Sequence, residues 1–512
     1  IPGASIALAL VGAGTLTGGT AVASDSSGLA MFPGLSVNLS GSKRLTASSG
    51  AAAPLLSDPF TVSVGPAATL AFEQQPTASV AGATITPAVT LRVRDAFGNG
   101  VAGAPVTLGL VGSGTLTGGA AVASDSSGLA TFPALNLDVS GNKQLTATSG
   151  ALTPVSSNPF TVSAGLVATL AFEQQPSASV AGATITPTVT VRLRDAFGNA
   201  VAGAPVTLGL VDGGPLTGGA TVASDSSGLA TFAALSVTLS GTKQLTASSG
   251  VLTPVSRDPF TVSAGVAVAL AFAQQPSVTV AGTTITPAVT VRVRDVFGNG
   301  VAGAAVVLTL ASSGTMRGGE AVTSDGDGLA TFAGLSVDLA GTKHLTASSA
   351  TLAPASSDTF TVRPAAAVAI SFEQQPSATA AGSPITPAVT VRVRDEFGNR
   401  VPGMPVTLSL VGGGTLSGGT TTTDVNGLAT FAGLSANLTG SKQLAASCGA
   451  LTPVPSNTFT ILAGAEARIR FEQQPSATVA GATITPAVTV CVSDEFGNPV
   501  AGSTVALALV GD

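Results

Sequence analysis

The sequence predicts an all-β chain, a tandem array of two-sheet sandwiches drawn out into an elongated rod. Three observations carry that expectation. First, a five-residue string returns at near-constant spacing. Phe-Glu-Gln-Gln-Pro starts at Phe72, Phe172, Phe372 and Phe471, and Phe-Ala-Gln-Gln-Pro starts at Phe272, with one residue lost between Gly418 and Phe431. Second, apolar and polar residues alternate over short runs, and no segment sustains a helical period. Third, Gly-, Asp- and Asn-rich turn signals recur about every 8–12 residues. A repeat of 100 residues is a whole small domain and not a solenoid turn of about 20–50 residues. Four complete repeats span 66–165, 166–265, 266–365 and 366–464. Residues 1–65 match the C-terminal part of a repeat, and 465–512 match the N-terminal part. The chain reads as a window cut from a longer array. The two stubs hold 65 and 48 residues, more together than one repeat, so their lengths also permit head-to-tail complementation between chains.

Within the repeat at 66–165, the elements follow in order. Pro76 and Pro87 bound the first strands, as proline does where a ladder donor is missing. Residues 88–94 alternate strictly, with Val89, Leu91 and Val93 expected inward and Thr90, Arg92 and Arg94 outward. Asp95-Ala96-Phe97-Gly98-Asn99 reads as a hairpin turn with a glycine free to take positive φ. Val106, Leu108 and Leu110 mark the next strand. A second turn, Asp125-Ser126-Ser127-Gly128, leads into the strand 129–132, and 143–148 and 159–163 supply the last two. Seven or so strands in about 100 residues indicate an immunoglobulin-like sandwich, although the disulfide and core tryptophan of antibody domains are absent. The 20 phenylalanines fall in four registers, those of Phe32, Phe60, Phe72 and Phe97. Three registers are expected to fill the core, each burial contributing roughly 1.5–3 kcal/mol, and the fourth to pin the Asp-x-Phe-Gly-Asn turn.

These residues resemble a known family. Val-Arg-Asp-Glu-Phe-Gly-Asn-Arg-Val-Pro-Gly-Met-Pro-Val-Thr-Leu, within Val391–Leu408, is followed by Gly-Gly-Gly-Thr-Leu-Ser-Gly-Gly-Thr and then by Asp424-Val425-Asn426-Gly427-Leu428-Ala429-Thr430-Phe431. The stretch is similar to the bacterial immunoglobulin-like group 1 repeat of invasin- and intimin-type surface proteins. The Asp-x-x-Gly-Asn turn and the Gly-Leu-Ala-Thr-Phe strand are shared, and the Phe-Glu-Gln-Gln-Pro opening is not typical. The resemblance covers every repeat. It implies a rod-like extracellular stalk on a bacterial cell surface, with any host receptor engaged through domains outside this sequence, so receptor binding is carried to no residue here.

Composition narrows the function classes. Charged residues are 9 %, with no Trp, no Tyr and one His, against roughly 25 % charged in an ordinary soluble domain. Mean hydropathy is +0.51, yet no apolar run approaches the ~18 residues of a membrane span. The net charge of −6 is thinly spread, which argues against nucleic acid as a partner. A single His, His344, leaves little room for general acid–base or imidazole–metal chemistry. An enzyme is not expected, and no cofactor, metal or catalytic residue is assigned.

Each candidate site has a plain structural explanation. Asp325-Gly326-Asp327-Gly328 opens like a calcium loop but lacks the distal ligands, and a polar turn is expected. Lys43, Lys143, Lys243, Lys343 and Lys442 share one register. That register could feed an isopeptide bond, with Asn99 and Glu73 the conceivable partners of Lys143, but Lys143 follows a turn and is expected to be exposed. Arg92 and Arg94 project from one strand face as a solvated stripe, pairing with Asp95 or Glu73. Cys491 and Ser493 interrupt the stripe in the last repeat. Gly112-Ser113-Gly114 opens no helix, so it cradles no phosphate. Cys448 and Cys491 are expected to be unbridged thiols. No non-repeating polar cluster and no aromatic platform stands out.

What remains is extension. Strands of this length give on the order of 35–45 Å per repeat and about 200 Å for the array. Linkers of only a few residues make the joints stiff. The expected function is a non-enzymatic stalk or adhesin arm on a bacterial surface, and the alternative is a self-assembling extracellular fibre or sheath. In the first, the partner of each repeat is its neighbour. In the second, it is also another copy of the chain. Weak charge accords with native glycosylation of Ser/Thr faces or with lateral packing of rods.

Overall fold

The computed structural model describes residues 1–350 and 352–511, and among them there is no α-helix. The chain separates into two compact units, Ile1–Ser263 and Ala264–Asp512. Among the described residues there are four apolar cores, two in each unit. Each core lies within one sequence repeat, for example Leu70 to Val162 and Ile370 to Ile461.

The repeat at 66–165 shows how one core forms. One sheet is three-stranded, with Val89–Asp95 between Ala67–Gln74 and Leu129–Phe132. The facing sheet runs Val122–Ala123, Pro105–Val111, Gly141–Thr148, Phe160–Ser163 and Ser79–Val80, the last pair parallel. Register places Leu91 beside Phe72 and Ala130, and Val89 beside Phe132. Val89, Leu91 and Val93 are fully buried against Val106, Leu108, Leu145 and Val162 from the other sheet. The two-residue alternation of the sequence is therefore the alternation between core and solvent.

Three of the four phenylalanine registers enter these cores, as expected: Phe132 is 1 % exposed and Phe160 7 %, and Phe72 packs partly buried against them. The fourth does not hold its turn. Phe97 is 65 % exposed, and the turn is closed by Asp95, whose carboxylate accepts the Phe97 and Asn99 N–H groups at 2.9 and 2.8 Å.

The two turns are also not hairpins. The strands flanking Asp95–Asn99 lie in different sheets, and beside the turn the chain pairs with itself only briefly, through the Arg94–Gly100 bridge and the Asp95 N–H to Asn99 and Val101 N–H to Val93 carbonyl bonds. Asp125–Gly128 likewise carries the chain from one sheet to the other. Alternation and turn chemistry look the same in a hairpin and in a corner, because both reverse a strand; only the pairing partner differs. Pro87 follows a cis peptide with Thr86 and precedes Val89–Asp95, and the equivalent bond is cis at Pro187, Pro287, Pro387 and Pro486.

The stubs differ from the full repeats. In 1–65, Ser5–Val11 pairs with Gly41–Ser48, and Leu29 and Met31 are exposed. Near the C-terminus Arg468–Gln473 pairs with Thr489–Ser493, and Ile469 and Phe471 are exposed.

Candidate functional site

The feature most often repeated outside the cores is the joint at which one repeat meets the next. It is made by the aspartate and asparagine of each Asp-x-x-Gly-Asn turn. At the first joint, Asp95 and Asn99 are 3 % and 8 % exposed. One carboxylate oxygen of Asp95 accepts the two turn N–H groups. The other accepts the Asn99 amide at 2.8 Å and the N–H of the linker residue Gly65 at 3.0 Å. The Asn99 amide also donates to the carbonyl of Asn38 at 2.8 Å, while its oxygen accepts the Ser40 N–H at 2.9 Å. Asn38 and Ser40 belong to the preceding stub. One aspartate therefore fixes the linker, and one asparagine clips the next repeat to a loop of the previous one.

The arrangement recurs. Asn199 donates to Asp138 and accepts from Ser140, and Asp195 holds Gly165. Asn399 clips to Asp338 and Ala340, with Asp395 on Ala365. Asn498 clips to Asn437 and Thr439, with Asp494 on Gly464. Asp295 holds the linker Gly265 in the same way. The exposed phenylalanine has its role here too. The rings of Phe197, Phe397 and Phe496 lie against Gly82, Gly282 and Gly382 of the preceding repeat, where any Cβ would overlap them. These glycines also sit at positive φ, near 75–77°, so both space and backbone demand glycine.

Burial opposes ionisation of Asp95. The hydrogen bonds from the Asn99 side chain and from the N–H groups of Gly65, Asn99 and Phe97 outweigh it and hold the carboxyl at about 2. Asp195, Asp295 and Asp494 are lowered against the same burial by the same donors in their own repeats. The joint is therefore a charged, fully donated carboxylate in a nearly dry setting, an arrangement with strict geometry.

The other sequence candidates are placed as follows. The lysine register is buried, contrary to the expectation for Lys143. Its Nζ donates to the Ser113 carbonyl at 2.7 Å, and Lys43, Lys343 and Lys442 make the same bond to Ala13, Ser313 and Gly412. The long aliphatic stem lies under the glycine-rich loop, and only the ammonium reaches the loop's carbonyls. Position next to a turn concealed this. In the repeat at 166–265 Lys243 instead meets the Asp212 carboxylate at 2.9 Å. Burial lowers the Lys343 ammonium, with Asp338 opposing.

Neither conceivable isopeptide partner meets Lys143. Asn99 belongs to the joint, and Glu73 pairs with Arg92, whose guanidinium also donates to the Ser127 carbonyl at 2.8 Å. That ion pair recurs as Arg192–Glu173 and Arg392–Glu373. Arg94 donates to Gly98. Asp95 faces the joint, away from this stripe.

The Asp325 carboxylate accepts the Asp327 and Leu329 N–H groups, closing a polar turn. Among the described residues no group of three or more His, Cys, Asp or Glu could hold a metal ion. Cys448 is buried in a core, Cys491 is partly exposed, and both are free. His344 sits between the short strands Gly341–Lys343 and Leu345–Ser348, and its carbonyl accepts the Ala311 N–H. The Gln-Gln-Pro opening has a use the sequence did not reveal. The Gln75 side chain accepts the Asn158 N–H at 2.9 Å, fastening the start of the repeat to the segment before its last strand.

Residues 369–460 match the bacterial Ig-like domain, group 1. This segment is a bacterial Ig-like domain. The other Ig-like repeats of the chain share its joint, its core registers and its lysine. Among solved structures, the chain is similar to the Escherichia coli adhesin FdeC, at 19 % identity over 60 % of this chain and 100 % of that one, with a TM-score of 0.30. It is similar to invasin, described as a bacterial integrin-binding protein, at 16 % identity over 78 % and 81 %, with a TM-score of 0.32. It is also similar to Yersinia pseudotuberculosis InvD, at 18 % over 57 % and 97 %, with a TM-score of 0.33. No curated protein matches it. Among the described residues no helix is long and apolar enough to cross a membrane.

Proposed function

We propose that the chain is a non-enzymatic spacer: an extracellular array of Ig-like repeats, on the surface of a bacterium, that holds an adhesive or anchoring part at a distance. The single observation that carries this reading is the joint. The Asp95–Asn99, Asp195–Asn199, Asp395–Asn399 and Asp494–Asn498 pairs each spend a buried, hydrogen-bonded charge on fixing one repeat against the linker and loop of the one before. A module whose work lay within a single repeat would gain nothing from such a pair at one boundary after another. A spacer gains stiffness, because a linker held at both ends by short hydrogen bonds cannot swivel without breaking several at once. On this reading each of the four full repeats folds as a unit. Contact with a receptor, such as the integrin bound by invasin, belongs to other parts of the whole protein.

Electron microscopy of the purified chain over a wide concentration range tests the reading. Separate stiff particles about 200 Å long at every concentration are expected. Flexible beads would refute the spacer. Long filaments with a regular repeat would refute it in favour of a self-assembling fibre.

A further inference from the structure

One joint differs from the others in the charge around it. Where the repeats pass from 266–365 to 366–464, two positions depart from the repeat pattern together. Arg363 stands where the others carry Ser63, Ser163, Ser263 and Leu462. Arg400 stands where they carry Gly100, Ala200, Gly300 and Pro499. In sequence these are two unremarkable substitutions 37 residues apart. In the fold both line one cavity of about 450 Å³ at the joint, together with Pro364, Pro402, Asn399 and Val425. Both arginines are exposed.

Among the described residues no carboxylate lies within ion-pair distance of Arg363 or Arg400. Arg400 donates to the neutral Asn426 side-chain oxygen at 3.2 Å. Glu373, whose carboxylate also feels the charge of Arg400, is paired with Arg392, and Asp395 accepts from Ala365, Phe397 and Asn399. In a chain with 9 % charged residues and net negative charge, two unpaired guanidinium forks on one concavity are out of keeping with the rest of the surface.

We propose that this cavity binds an acidic sugar residue, a ring bearing sulfate or carboxylate. Two forked donors suit a planar or tetrahedral oxyanion, which accepts paired N–H bonds from each. The volume is enough for a sugar ring. Pro364, Pro402 and Val425 supply the apolar wall that the face of a ring would cover. The joint hydrogen bonds of Asn399 keep the two arginines, which come from different repeats, at a fixed separation. The site is independent of the spacer reading, since a stiff joint needs neither arginine: the other joints do without them.

The test is calorimetric titration of the whole chain with a fully sulfated heparin tetrasaccharide and with its desulfated, carboxylate-only counterpart. The double variant R363S/R400G is run alongside. It restores residues the neighbouring repeats carry, so its unfolding midpoint should match that of the parent. Saturable binding is expected, weakening with added salt and falling at least about tenfold in the double variant, the loss expected for removing charged hydrogen bonds. Preference for the sulfated probe identifies a sulfate ligand, and equal binding of both identifies a carboxylate. No binding of either probe, or binding that the double variant leaves unchanged, overturns the proposal.

Discussion

Replacing Asn199 by alanine should unfasten one joint and leave both neighbouring cores whole. The Asn199 side chain makes two hydrogen bonds to the preceding repeat, to the Asp138 carbonyl at 2.7 Å and from the Ser140 N–H at 2.9 Å, and a third to Asp195 at 2.8 Å. Net worth is about 0.5–1.5 kcal/mol for each neutral bond. The two that cross the joint therefore sum to about 1–3 kcal/mol of coupling between repeats. At a factor of ten per 1.4 kcal/mol, the population of open joints should rise about 5- to 150-fold. Asn199→Asp should do more harm than Asn199→Ala. It turns the shared donor into an acceptor facing the Asp138 carbonyl, and it sets a second negative charge beside Asp195. The assay is pulsed electron–electron spin distance measurement between labels on exposed strand positions of repeats 66–165 and 166–265. The parent should give one narrow distance, N199A a broadened one and N199D the broadest, with unfolding midpoints of the two repeats little changed. A distribution equally narrow in all three would refute the view that this asparagine stiffens the joint.

Further outcomes follow from the same geometry. Asp95 is held at about 2, below the ~3.9 of a free aspartate, so its contribution is full above about pH 4 and is lost as the pH falls through 2; particle curvature should be constant from pH 8 to 5 and increase only in strong acid. Phe132→Ala, in the core, should cost about 3–5 kcal/mol in urea unfolding, whereas Phe97→Ala, exposed, should cost well under ~1 kcal/mol. Glu73→Ala removes an ion pair whose glutamate is 47 % exposed, so it should cost less than about 1 kcal/mol; the repeat that carries Ala273 already lacks this carboxylate. Thiol titration of the native chain should find Cys491 and miss Cys448, whose thiol is buried and raised above its ordinary value by that burial; a second rapid equivalent would show that core open.

The sequence exposed the cores well because a core is a matter of alternation. Val89, Leu91 and Val93 point inward for the same reason that they are spaced by two, and any two-sheet packing would bury them. It exposed the joint poorly because a joint is a matter of partners far apart in sequence. Asn99 meets Asn38 across 61 residues, and nothing in Asp-Ala-Phe-Gly-Asn distinguishes a turn that closes on itself from one that also closes on a neighbour. Phe97 carried the one usable hint. A phenylalanine repeated at five turns, outside any alternating strand, has no place in its own sandwich and so must find apolar cover elsewhere. The cover proves to be glycine of the preceding repeat, at Gly82 for Phe197. Lys143 misled for the converse reason: position at a turn suggests solvent, but a side chain long enough to cross under a loop can satisfy its ammonium on that loop's carbonyls.

The charge of this chain is low, at 9 % of residues, and part of it recurs at the joints. Of the aspartates, those at the joints are ionised where water is scarce, which is costly unless every lone pair has a donor. Four N–H groups supply those donors to Asp95, three from its own turn and one from the linker. Dropping any one of them leaves a buried charge short of a partner, so the linker cannot drift while the aspartate stays ionised. On the proposed reading, stiffness at the joint is not a property of the linker alone, which is Ser163-Ala164-Gly165 at one joint and Arg363-Pro364-Ala365 at another. It is imposed by the next repeat, and a chain of such repeats stiffens only where each has a successor to grip the linker behind it.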